Sequence, residues 1–174
     1  MPRLVILRHA KAAPHADGGD HARPLTERGR QDAGRAGAWL RAQGVEPDIA
    51  LVSDARRTRE TMEHVMPHLA RPPHLRVDRS LYLAEPVTLL RAIRATPPGA
   101  RTAIIVGHNP GVADLALALA GTGEPATVQA LATSFPTAAI AVLDFEGGWR
   151  DIAELGGRLA RFVTARSLRE PAPP

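Results

Sequence analysis

Leu4-Val5-Ile6-Leu7-Arg8-His9-Ala10 is the stretch on which the fold turns. Four apolar residues in an unbroken run suit a strand buried on both faces, and such strands belong to parallel sheets flanked by helices. The polar pair Arg8-His9 ends the run. The same design recurs downstream, where Ile49-Ala50-Leu51-Val52 gives way to Ser53-Asp54 and Ala103-Ile104-Ile105-Val106 to Gly107-His108. A shorter strand is expected around Leu75 to Val77.

Helical patterns fill the intervals. Thr26 can cap a helix that carries Glu27 in its first turn and Ala33, Ala36 and Leu40 on one face, and Gly44 stops it. Ser53 or Asp54 can cap the next, where Thr58, Met62, Val65, Met66 and Leu69 form a stripe. A third runs from Pro86 to about Ala95 with Leu89, Leu90 and Ile93 inward. In a fourth, Asn109 caps, Pro110 takes the first helical position, and Val112, Leu115, Ala116 and Leu119 face the core. Pro14 to Pro24 is a loop. Ala139 to Phe145 and Arg150 to Leu155, around Glu146-Gly147-Gly148-Trp149, suit an antiparallel hairpin. The alternation predicts a single-domain three-layer α/β/α sandwich with a mostly parallel central sheet over residues 1–166, and a disordered tail over 167–174.

Composition narrows the function. The chain has 174 residues, 44% hydrophobic and 23% charged, which is ordinary globular usage. Its apolar runs are strand-sized, too short for a membrane span, and Met1-Pro2-Arg3 leads into the first of them without a signal-peptide pattern. The absence of cysteine removes disulfides and a thiol nucleophile and suits the cytoplasm. The net charge of +4 is spread over interleaved residues, and aromatics make up 3%, so neither the basic footprint nor the stacking platform of a nucleic-acid binder is present. No large apolar patch is apparent, which favours a monomer.

In an open α/β sheet, ligands bind beyond the carboxyl ends of the strands. Those positions hold Arg8 and His9, Ser53 to Arg57, and His108. Two histidines and several arginines delivered to one sheet edge suit a phosphoryl group, because guanidinium groups bind its oxygens bidentately and a neutral imidazole can attack phosphorus. No metal or cofactor is required. Each residue alone has a plainer reading: a strand-end His is usually a satisfied polar group, Arg57 a solvated helix residue, His108 a helix-start residue. Arg8 and His9 share the site only if the strand has ended, since alternation otherwise points neighbours apart. Glu63, His64 and His68 lack the His-Glu-x-x-His spacing of a zinc helix and read as surface, while His15 and His21 read as exposed or lid residues.

Four motifs, Arg8-His9-Ala10, Arg23-Pro24-Leu25-Thr26 with Gly29, Ser53-x-x-x-Arg57-x-x-x-Thr61 and Gly107-His108-Asn109-Pro110, resemble the histidine phosphatase (phosphoglycerate mutase-like) superfamily, in particular its short SixA-type phosphohistidine phosphatases. The resemblance runs from about Arg3 to Leu155. It implies a metal-independent phosphatase in which His9 is the phosphorylated nucleophile, Arg8 and Arg57 hold the phosphoryl group, His108 stabilises transferred charge and Arg23 lines the entrance. Two departures stand out. Ala10 replaces the family's usual Gly, which negative φ would tolerate. The family's Glu acid has no clear counterpart: Glu85 is the nearest candidate, with Asp17 and Asp20 as rivals. A missing acid favours phosphohistidine over phosphoesters, because imidazole leaves more readily than alkoxide. The chain also lacks the long insertion that encloses small sugar phosphates, so a phosphorylated protein is the expected partner. A broad phosphomonoesterase, or a phosphate- or phosphoprotein-binding module without turnover, are the alternatives.

Overall fold

The computed structural model describes residues 1–170. Seven strands form one sheet: β1 (Arg3–Arg8), β2 (Ile49–Ser53), β3 (His74–Asp78), β4 (Thr102–Gly107), β5 (Ala120–Gly123), β6 (Ile140–Phe145) and β7 (Gly157–Val163). Six helices accompany them: α1 (Glu27–Ala42), α2 (Arg56–Val65), α3 (Pro86–Arg94), α4 (Gly111–Leu119), α5 (Pro125–Thr133) and α6 (Ala165–Arg169). The strand order is β3-β2-β4-β1-β6-β7-β5, and only β6 runs against the others.

Strand alternation divides the core between two faces. Leu4 and Ile6 of β1, with Ala103 and Ile105 of β4, pack under α3 and α4; Val5 and Leu7, with Ile104 and Val106, pack under α1 and α2. Both sets are fully buried, which is why the central strands read as unbroken apolar runs. Among the described residues no helix is long and apolar enough to cross a membrane.

Several expectations need correction. Arg150–Leu155 is not a strand: Trp149–Asp151 is a single 3-10 turn that buries Trp149, with Asp151 bonded back to the Gly148 amide at 2.8 Å, and the partner of β6 is β7. The real strand was masked because Arg158 and Arg161 break up its apolar signal. The segment 120–133, for which the sequence pattern predicts no element, forms β5 and α5. β5 is only Ala-Gly-Thr-Gly, and α5 buries Leu131 alone, so neither carries strong periodicity. The expected helical stripe through Met66 and Leu69 outruns α2, which passes at Met66 into a 3-10 turn where Pro67 occupies a first-turn position. The tail begins later than expected: α6 covers 165–169, capped by Thr164 and held by Arg169 pairing with buried Asp32 at 2.5 and 2.8 Å. The rest of that expectation, 171–174, lies outside the described residues. Finally, neither Ser53 nor Asp54 caps α2, and Asn109 does not cap α4; the side chains of Ser53 and Asn109 are turned to the site instead.

Candidate active site

β1 ends at Arg8, so His9 escapes strand alternation and both side chains reach one edge. The chain at Ala138 fixes this exit, its N–H bonding the carbonyls of Arg8 and His9 at 3.2 and 3.1 Å. Ala10 is buried without positive φ, so the methyl in place of hydrogen is accommodated, and its N–H donates to Thr61 Oγ1 at 3.0 Å.

His9 is buried and its tautomer is set by its partners. Nδ1 lies 2.8 Å from the Ala10 carbonyl, which can only accept, so Nδ1 carries the proton. Nε2 therefore bears the lone pair, and Arg57 Nε–H donates to it at 3.3 Å. Burial pushes the His9 pKa down to about 4; the Ala10 bond opposes this, and the charges of Arg57, Arg8 and Arg23 add to it. The imidazole is neutral at physiological pH.

Arg57 is 2% exposed on the first turn of α2. Its Nη1 and Nη2 donate to the Asp20 carbonyl and carboxylate at 2.8 and 3.1 Å, and its guanidinium lies 5.9 Å from the Tyr82 ring centroid. Arg23 holds the other Asp20 oxygen at 2.9 Å, and the Tyr82 hydroxyl donates to Asp20 at 2.5 Å. Asp20 is held down at about 2, chiefly by the Tyr82 hydrogen bond and then by Arg57 and Arg23.

His108 follows β4 and is 3% exposed. Its ring lies 5.4 Å from those of His9 and of Tyr82, and its Nε2 is 2.8 Å from Ser53 Oγ. Burial lowers its pKa to about 3, with Arg57 contributing. Among the described residues, four side-chain atoms are buried without a hydrogen-bond partner: Arg8 Nε, His108 Nδ1 and Asn109 Oδ1 at this edge, and Thr96 Oγ1 after α3. Arg8 Nη1 and Asn109 Nδ2 share the Phe135 carbonyl at 3.1 and 2.8 Å. Orphaned buried polar groups are rare, and the two potential donors at this edge point to an anionic ligand.

Of the residues expected at the site, Arg8, His9, Arg23, Arg57 and His108 come together. Glu85 does not: it is exposed at the N-terminus of α3 and bonds none of them. Asp17 is likewise exposed, whereas Asp20 sits on Arg57 and Arg23. His21 is not a free loop residue, since its Nε2 is 2.8 Å from Asp54 and its ring stands edge-on to Tyr82 at 4.9 Å. Tyr82 joins the site without a motif to mark it, and its one signal in the sequence is that it is the lone tyrosine of a chain with 3% aromatics. Among the described residues no cluster of three or more His, Asp or Glu is arranged to hold a metal ion.

A neutral buried imidazole ringed by guanidinium groups at the carboxyl edge of an α/β sheet defines a phosphoryl-handling enzyme of the arginine–histidine kind. The comparisons give the family: the model of the histidine phosphatase superfamily, branch 1, matches residues 4–81, and the chain belongs to that superfamily and is a phosphatase. It is 39% identical to an uncharacterised protein of Mycobacterium tuberculosis H37Rv over 163 residues, spanning 92% of this chain and 100% of that one. It is 32% identical to the phosphohistidine phosphatase SixA of Escherichia coli K12 over 110 residues, 62% of this chain and 68% of that protein. The SixA-like structure from Nakamurella multipartitia superposes with a TM-score of 0.82 at 30% identity, covering 94% of this chain and 95% of that one.

Proposed function

We propose that the chain removes phosphate from phosphohistidine on a protein, without a metal ion, through a covalent phosphohistidine on His9. The observation that carries this reading is the His9 ring itself, neutral, with Nδ1 tied to a carbonyl and the Nε2 lone pair turned toward Arg57. Nε2 attacks phosphorus, the bond from phosphorus to the substrate imidazole breaks, and that imidazole nitrogen takes the electron pair and a proton from solvent. Water then attacks the phosphorus on His9, releasing phosphate and restoring the imidazole. Arg8 and Arg57 hold the phosphoryl oxygens, and Arg23 lines the entrance.

His108 donates from Nδ1 when Nε2 accepts from the Ser53 hydroxyl, which supplies a neutral donor to a phosphoryl oxygen. Two arginines supply the positive charge that a metal would otherwise bring. The low pKa of Asp20 unsuits it as an acid, which agrees with a leaving group that is itself basic. The relative named as a phosphohistidine phosphatase supports the same substrate class. We place enzyme and substrate in the cytoplasm, which a cysteine-free chain suits.

The test is intact mass and acid lability after incubation with a phosphohistidine peptide and, separately, para-nitrophenyl phosphate. The expected result is release of peptide phosphate through a transient acid-labile adduct that His9→Ala cannot form while remaining folded. Turnover by His9→Ala overturns the reading. Reaction with the small ester alone makes the chain a broad phosphomonoesterase, and binding without turnover makes it a docking module.

A further inference from the structure

Beside the site runs a groove of about 560 Å³ with Leu90, Leu115 and Leu119 beneath it and Glu85, Asp114 and Glu154 on its rim. It starts where the site stops: Leu83 adjoins Tyr82, and Pro110 lies two residues past His108. Two further features mark it.

The first is backbone strain. Leu83 and Leu155 have φ of 48° and 56°, a region costly for bulky side chains, yet they are 54% and 70% exposed. Leu83 lines the groove, and the Leu155 N–H is tied to the carbonyl of Ala118, another lining residue, at 2.8 Å. The backbone thus holds Leu83 out in water at the groove, while Leu155 follows the lining residue Glu154.

The second is charge. In this Arg-rich chain of net charge +4, the carboxylates of Asp20, Asp32, Asp48 and Asp144 are all paired with arginines. Glu85, Asp114 and Glu154 are exposed, and among the described residues none of their carboxylates takes a hydrogen bond or ion pair. A cationic pocket for the phosphoryl group therefore adjoins an apolar groove with an acidic rim.

We propose that this groove docks a cationic amphipathic segment of the phosphoprotein substrate, its apolar side chains in the groove and its Lys or Arg residues on the rim. The proposal rests on the reading of the site as a protein phosphohistidine phosphatase and adds how the protein is chosen. Charge complementarity of this kind selects partners and orients them more than it tightens them.

The experiment compares two phosphohistidine peptides, one flanked by an amphipathic Leu/Lys segment and one with each Lys replaced by Glu, and uses para-nitrophenyl phosphate as control. Asp114→Lys/Glu154→Lys should raise KM for the Lys peptide roughly tenfold, relieve its salt dependence, and leave the small ester unchanged. Leu83→Gly removes an exposed lining side chain and relaxes the backbone, so KM for the Lys peptide should rise with Tm unchanged or higher. Equal handling of the two peptides by the unsubstituted protein, or an unchanged KM in the charge-reversed variant, overturns the proposal. So does a dimer in sedimentation that Leu83→Gly splits, which would give the groove to a second copy. Should no substrate turn over, the functional reading fails separately, and fluorescence anisotropy of the unphosphorylated Lys peptide still reads the groove: charge-sensitive binding upholds it, and its absence sinks it.

Discussion

His9 and Asp20 share the guanidinium of Arg57 with opposite consequences. His9 has its lone pair ready, but Arg57, Arg23 and Tyr82 are engaged with the Asp20 carboxylate, an anion where a phosphoryl oxygen would compete. Asp20→Asn should therefore bind tungstate or phosphate more tightly, by roughly tenfold, because a repelling charge is gone. Isothermal titration measures this, and weaker binding would show that Asp20 instead preorganises the arginines. Ser53→Ala removes the partner of His108 Nε2 and frees the ring to take either tautomer. Its kcat should fall roughly 10- to 100-fold with little change in KM. Arg8, His9, Arg57 and His108 were legible in the sequence because each follows an apolar run that must be a buried strand. Tyr82 was not, and Asp20 was legible only as a rival acid and not as the partner of Arg57 and Tyr82, since that meeting joins residues 62 apart through a loop with no periodicity.

At the scale of elements, α2 connects the strand edge to the nucleophile loop through Thr61. Its hydroxyl donates to the Arg57 carbonyl at 2.6 Å and accepts from the Ala10 N–H at 3.0 Å. Thr61→Val leaves that buried N–H unpaired, so a loss of about 1–3 kcal/mol is expected in denaturant unfolding, with activity falling as His9 shifts. α4 approaches the loop before α3 so closely that a Cβ on Gly111 would lie 2.0 Å from the Ala84 carbonyl. Gly111→Ala should push the two apart, costing about 1–3 kcal/mol by overpacking, and should disturb the Tyr82–His108 contact that spans them. Thr26 caps α1 as expected, accepting from Gly29 N–H at 3.0 Å. α3 starts at Pro86 as expected, whereas the caps expected for α2 and α4 are not formed, because the same short polar side chains that cap helices also serve sites.

The whole molecule feels the site through linkage. His9 and His108 have pKa values of about 4 and 3 against 6.5 for a free imidazole, so between those limits the unfolded chain binds more protons than the folded one. The stabilisation is complete above pH 6.5 and is lost as pH falls toward 4 and 3. Thermal unfolding should show Tm dropping from pH 7 to pH 4.5, and His9→Asn/His108→Asn should flatten that slope. A slope unchanged in the double variant would place the acid sensitivity elsewhere, on the paired carboxylates.

The α/β sandwich, the parallel strands β1 to β4 and the edge to which the arginines and histidines are brought are legible in the chain alone, because a strand covered on both faces must be apolar throughout and its first polar residue marks the exit. Long-range packing supplied the rest: the seat of β6 between β1 and β7, the short β5 and α5, the pairing of Asp20 with Arg57 and Tyr82, and the strained Leu83 at the groove. Those features arise from contacts between segments distant in the chain, where edge strands and exposed loops carry little hydrophobic pattern and the partner, rather than the local sequence, sets the conformation.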